Sequence, residues 1–290
     1  MVGAMPPPVV LEPSSQWVID YAPNSCRLIR TFGDAANKTV LMMESEVPYE
    51  MDMLIVGKPL KGNADEVFAT FLPKRGEPIK GGTAKASESG APAVLWPHVH
   101  LVAEDAPSEA AKKAARIMSE QHIRPPAVDL AEKAKELALR QEFAAKTSAV
   151  KVDTDRRRSV LVSTGSLAAP IKMLDECSRL SLKDWGVDPD LEDKVVRPVW
   201  NSSSTPFLKA TDYPKRMLEK GAESEVKARL LVDASGKVTK CTSLSHFDAP
   251  EFNAIVCDAL MKRARYEPAE LADGTKVPSY NLVRIVFRMH

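Results

Sequence analysis

The chain has 290 residues, 44% of them hydrophobic and 27% charged, a soluble globular composition with room for one or two cored domains. A formal net charge of +1 excludes both an overall basic excess aimed at nucleic acid and an acidic excess aimed at cations. No run of about 18 apolar residues occurs, so the sequence as given holds no candidate helical membrane span.

In chain order, residues 1–14 read as a disordered leader interrupted by Pro6, Pro7 and Pro8, too short and broken for the apolar core of a signal peptide. Either the protein stays in the cytosol or an export signal lies outside this numbering. A mixed α/β domain of unknown role is expected over 15–190. It opens with a β-meander of four runs, Trp17–Tyr21, Cys26–Phe32, Lys38–Met43 and Met51–Val56, separated by Pro23-Asn24, Gly33-Asp34 and Pro48. Residues 75–93, with Gly81-Gly82, read as a loop and Val94–Ala103 as a strand. Helices are expected over Glu109–Gln121 and Pro126–Ala145, the second with Leu130, Ala134, Leu137 and Leu139 on its apolar face. A short strand is expected over Ser159–Ser163. A helix over Pro170–Trp185 follows, with Leu174, Cys177 and Leu180 on one face and Gly186 as its stop. Residues 191–206, within a Pro- and Ser-rich stretch, read as a linker.

The last block, 207–290, has a clear pattern. Val226, Ala228, Leu230 and Val232 alternate with polar residues as in a half-buried strand, and Asp233-Ala-Ser-Gly236 is a tight turn. Val238–Leu244 is the returning strand. Phe252, Ile255, Val256, Ala259 and Leu260 recur at helical spacing, with Pro268 expected to end that helix. After a turn at Asp273-Gly274, Tyr280–Arg288 is a final strand. One helix on a three-stranded antiparallel sheet is a minimal two-layer domain, so the fold class is α+β.

Four cysteines, Cys26, Cys177, Cys241 and Cys257, lack the short spacing of a zinc or thiol-redox motif. Their count suits two disulfides in an oxidising compartment, or equally four buried thiols in the cytosol. Enzyme signals are sparse. His98 and His100 lie two apart on an expected strand and could share a face, but no third metal ligand is apparent. His122, His246 and His290 form no pattern. Asp153 and Asp155 precede Arg156, Arg157 and Arg158 in what reads as a solvated turn, and Ser166 lacks a nucleophile-elbow motif. No phosphate-binding or dinucleotide glycine pattern occurs. No catalytic residue, metal or cofactor is expected, and the chain is read as a non-enzyme.

The C-terminal block resembles the TonB family C-terminal domain. Tyr213-Pro214, Gly221, Val226, Val232-Asp233, Gly236-Lys237-Val238, Arg265-Tyr266-Glu267-Pro268-Ala269, Asp273-Gly274 and Phe287 follow that family's pattern in order and spacing. Ser224 and Glu225 depart from it where the family often has a second glycine. Upstream, Cys26–Gly33, Ser163–Leu167 and Asp184–Asp188 resemble uncharacterised envelope proteins that carry such a module.

The resemblance implies a periplasmic or cell-envelope protein. It also implies disulfides Cys241–Cys257, helix to sheet, and Cys26–Cys177. The expected function is protein binding as an adaptor, linked to TonB-dependent transmembrane transport, with an outer-membrane transporter peptide as partner. The peptide would add as an extra strand along Tyr280, Asn281, Val283, Arg284 and Ile285. Tyr213, Pro214, Gly221, Gly236, Tyr266 and Pro268 are expected to be structural. The competing expectation for the edge is solvation or closure by a second copy in a homodimer. The sequence as given lacks the membrane helix and Pro-rich spacer of an energy transducer, so coupling to an inner-membrane motor is not expected. The alternative function is an envelope enzyme or ligand-binding protein whose N-terminal domain carries the activity, with the TonB-like module as a tether.

Overall fold

The structure is a computed structural model and describes residues 7–61, 66–74, 76–86, 90–101, 124–154, 159–201, 207–244 and 250–288. The expected helix Glu109–Gln121, the Asp155–Arg158 run, the Ser202–Ser204 triplet, His122, His246 and His290 lie outside the described residues. Two compact units are present, one from Met1–Ala106 and Ala134–Arg179, the other from Pro107–Lys133 and Leu180–His290.

The first unit is built on ten strands: β1 (Val9–Leu11), β2 (Val18–Ala22), β3 (Ser25–Phe32), β4 (Thr39–Ser45), β5 (Asp52–Gly57), β6 (Val67–Leu72), β7 (Ile79–Lys85), β8 (Pro92–Trp96), β9 (Ala149–Thr154) and β10 (Val160–Val162). Their order is β1-β10-β9-β6-β7-β8-β5-β4-β3-β2, antiparallel except for the parallel β1–β10 pair. The expected meander is β2 to β5, in register from Val18↔Ile29 through Met42↔Leu54. Its alternation points Cys26, Leu28, Phe32, Leu41, Met43, Met53 and Ile55 into one core. Residues just after β1 continue onto β3, where the Ser14 N–H donates to the Thr31 carbonyl and the Gly33 N–H to that of Glu12. The sheet therefore curls back on its first strand.

Two readings change here. Val9–Leu11, expected in a disordered leader, is β1, because Leu11 is buried and the strand finds a parallel partner in β10. Residues 79–85, expected in a loop, are β7 between β6 and β8. Gly81 is there for proximity, since a Cβ on it would sit 2.6 Å from Nε1 of the buried Trp96 indole. That indole donates to the Ile79 carbonyl at 3.0 Å.

Two helices complete this core. α1 (Leu130–Lys146) starts four residues later than expected. Asp129 Oδ1 accepts the Ala131 N–H at 2.8 Å as a cap, and Pro125 and Pro126 stay outside. Its buried residues are Arg140, Phe143 and Ala144, while Leu130 and Leu139 are exposed, so the apolar face expected from the leucines is not the packed one. α2 (Ala168–Asp184) ends as predicted at Gly186. Gly186 and Val187 donate to the carbonyls of Lys183 and Leu182, a paired C-terminal closure around a glycine at φ 76°. Ile171, Leu174 and Cys177 face the core, whereas Leu180 is exposed because a strict spacing of three drifts around a 3.6-residue turn. Cys177 is bonded to Cys26 on β3, and Arg140 forms a buried two-point ion pair with Asp175 at 2.9 and 3.2 Å.

The second unit contains α3 (Pro189–Glu192), β11 (Val195–Arg197), β12 (Trp200–Asn201), α4 (Lys215–Glu219), β13 (Ser224–Val232), β14 (Val238–Ser243), α5 (Pro250–Arg263), β15 (Tyr266–Glu267), β16 (Ala269–Leu271), β17 (Lys276–Val277) and β18 (Ser279–Phe287). Its main sheet is antiparallel with order β14-β13-β18, covered on one face by α5. Smaller sheets join β11-β16-β17 and β12-β15. The stretch expected as a linker thus supplies β11 and β12, because Val195 and Val199 are buried and the backbone pairs with the segment after α5. α5 stops at Arg263, before Pro268, since residues 266–267 are taken up by pairing with β12.

Candidate partner-binding edge

β13 is the central strand of the three, paired along nine positions with β18, from Ser224↔Phe287 to Val232↔Ser279. Among the described residues β18 has no other ladder partner, so one side of a nine-residue strand presents its backbone N–H and C=O groups outward. Period-two alternation divides its side chains. Asn281, Val283 and Ile285 lie on the α5 side, where Val283 and Ile285 pack against the core; Tyr280, Leu282, Arg284 and Val286 lie on the other side. All five residues expected at the edge, Tyr280, Asn281, Val283, Arg284 and Ile285, are therefore on a strand that borders the sheet.

The face away from α5 carries charge and aromatic rings. Arg229 of β13 is buried there, its guanidinium 3.6 Å from the Trp185 ring centroid. Trp185 meets Tyr280 edge-on at 5.8 Å. Register places Lys227 directly opposite Arg284, whose Nε is 3.0 Å from Glu225. Lys240 stands opposite Leu231 on the same face. At the start of β18, Ser279 Oγ donates to Glu192 Oε2 at 2.7 Å. Burial pushes the Glu192 carboxyl above its ordinary value, with the Ser279 hydroxyl acting in the opposite direction.

The family-pattern residues hold the edge in place rather than face it. Tyr213, Phe252 and Phe287 form an aromatic cluster with centroids 4.6 to 5.5 Å apart, which packs the end of β18 against α5. The Tyr213 hydroxyl donates to the Ala222 carbonyl and closes the turn that contains Gly221. Gly236 has φ 85°, and a Cβ there would lie 2.0 Å from the Tyr266 carbonyl oxygen. The Tyr266 N–H donates back to the Gly236 carbonyl, so the two distant motif pieces are one close backbone contact. The Asp233 carboxylate is held below its usual range by the Ser235 hydroxyl and the Lys237 N–H, which fixes the same turn. Cys241 on β14 is bonded to Cys257 on α5, tying the opposite border strand to the helix.

Sequence reasoning missed two features. Arg124 donates to Glu267 at 2.9 Å and to the carbonyls of Pro198 and Pro268, clamping the strand pairs beside the motif. Trp185 reads as a fold anchor at a helix end, within the Asp184–Asp188 resemblance, and Arg229 as one polar residue of an alternating strand, with nothing to join the two. Register could have located Arg229, because it is a cation on the outward phase of a central strand. His98 and His100 follow β8 instead of lying on it, and His98 has φ 51°, which breaks the shared facing expected of them. Among the described residues no group of three or more His, Cys, Asp or Glu side chains converges as for a metal. Among them, too, no helix is long and apolar enough to cross a membrane.

No curated protein matches the chain. Residues 209–289 match the family model described as Gram-negative bacterial TonB protein C-terminal. That span begins just before Tyr213-Pro214 and ends after β18, and so includes α5, the Gly236–Tyr266 contact and the whole of the bordering strand. Residues 209–289 of this chain are a TonB C-terminal domain.

Proposed function

We propose that this chain is a cell-envelope adaptor that holds extended segments of partner proteins by adding them as a strand to β18. The observation that carries the reading is the nine-residue border strand of a TonB C-terminal domain, paired on one side only among the described residues. Backbone hydrogen bonds give such an interaction its affinity, and alternate side chains give it specificity. The partner class is the exposed segment of an outer-membrane transporter, which links the chain to TonB-dependent transport. The family assignment and the two disulfides support an oxidising envelope compartment. The chain acts as a binding protein, with the first compact unit as a companion to the grip.

Strand addition has a signature that other modes lack. Titrating transporter N-terminal segments into the labelled full chain should slow amide exchange at every second residue of Tyr280–Phe287, because alternate N–H groups point away from β13. Uniform protection along β18, or protection confined to α5, would rule out strand addition.

A further inference from the structure

The outward face of the C-terminal sheet has a strong charge bias. Lys227, Arg229, Lys240 and Arg284 stand there, with Glu225 beside Arg284. Arg229 is buried under Trp185, so its charge is fixed in place. Lys227 and Arg284 are direct cross-strand neighbours, so the charge at this position of the border strand is positive. Glu225 meets Arg284 at Nε, and a guanidinium has five N–H donors, so a second carboxylate can bind the same group. The Arg284 side chain keeps 31% of its surface accessible. Four positions earlier on the same face of the same strand is Tyr280, its ring set against Trp185. Trp185 lies outside the family-matched residues 209–289, so this aromatic corner is a feature of this chain and not of the matched stretch.

A strand added to β18 places its own side chains about 5 Å from those of β18, face for face. Its outward residues opposite Tyr280 and Arg284 are then four apart. We infer that β18 selects an extended peptide with an apolar side chain and a carboxylate four residues apart on one side, the first resting on the Tyr280–Trp185 corner and the second paired with Arg284. The inference takes strand addition at β18 as its premise. Tyr280 and Arg284 set the specificity, and Trp185 positions the Tyr280 ring.

The test uses the full chain with labelled backbone amides and synthetic peptides rich in Thr and Val. One peptide carries Leu and Glu four residues apart. A second replaces that Glu by Lys, and a third replaces the Leu by Asn. The Glu peptide should bind about three- to tenfold more tightly than the Lys peptide at low salt, with the gap shrinking as salt rises. Arg284→Glu should reverse that preference, and Arg284→Gln should remove it, which keeps the test valid if the charge-reversed variant folds poorly. Tyr280→Ala should abolish the difference between the Leu and Asn peptides. Equal binding of the Glu and Lys peptides, with β18 amides still perturbed, would overturn the selectivity and leave strand addition standing. Failure of every peptide to perturb β18 amides would overturn both.

Discussion

Gly236 and Gly81 are both glycines for reasons of space, in different ways. At Gly236 a side chain meets backbone, the Tyr266 carbonyl oxygen 2.0 Å from the Cβ position, and the residue has φ 85°. Neither feature can relax without moving the motif. Gly236→Ala should therefore destabilise the second unit by at least about 2 kcal/mol, measured by denaturant unfolding with m unchanged. At Gly81 the obstacle is the Trp96 indole, a side chain locked in the core of the first unit by its bond to Ile79. Gly81→Ala should cost about 1–3 kcal/mol by overpacking. The Arg140–Asp175 pair is buried on both sides, with side-chain exposures of 6% and 10%. Asp175→Ala strands a charge in the core and should cost about 3–5 kcal/mol, whereas replacing both partners by apolar residues should cost much less. A double-mutant cycle separates these outcomes.

At the scale of elements, the border strand is held at both ends. The Phe287 end is packed by Tyr213 and Phe252, and the Ser279 end is bonded to Glu192. Glu192 gives the domain a pH dependence. Its carboxyl titrates above the ordinary glutamate value of 4.5 in the folded chain, so over the window just above that value the folded state binds more protons than the unfolded one. Stability must then fall as pH rises through the window and gain as pH drops toward it. Glu192→Gln keeps the hydrogen bond to Ser279 and removes the proton. It should flatten the dependence and be neutral or stabilising at pH 7, as a series of thermal unfolding curves between pH 4 and 8 would show. An unchanged pH profile in the variant would mean that Glu192 is not the group responsible. The elements of this unit were legible because strand alternation and helical spacing are local signals, as Val226–Val232 and Phe252–Leu260 illustrate. β7, β11 and β12 were not. The glycines of β7 and the Pro198 between β11 and β12 suit loops when read locally, and strand pairing overrides that preference, with partners far along the chain for β11 and β12. The same holds for the packed face of α1, which sets Phe143 against Phe71 and Arg140 against Asp175 instead of following the leucine spacing.

At the scale of the whole molecule, each unit carries one disulfide, closing loops of very different length. Cys26 and Cys177 are 151 residues apart, Cys241 and Cys257 only 16. In the chain-entropy model these closures contribute about 5 and about 3 kcal/mol. Protein recovered from the envelope should show no reactive thiol before reduction and four after, by mass shift on alkylation. Reduction should lower the unfolding midpoint of the first unit more than that of the second. Four free thiols in native protein would remove the support for an oxidising compartment while leaving the C-terminal fold in place. By itself, the sequence determined the secondary elements of the C-terminal module, two strands and their turn, a helix and a last strand, because periodicity and turn chemistry operate over a few residues; its motif residues were marked by the resemblance to the TonB C-terminal domain. Only tertiary structure decided that Trp185 packs over Arg229 on the outward face of the C-terminal sheet, that Arg124 clamps Glu267, and that the first unit curls through β1 and β7. These depend on which distant segments pair and pack, and that choice is set by burial of apolar surface across the fold, which no short stretch of sequence encodes.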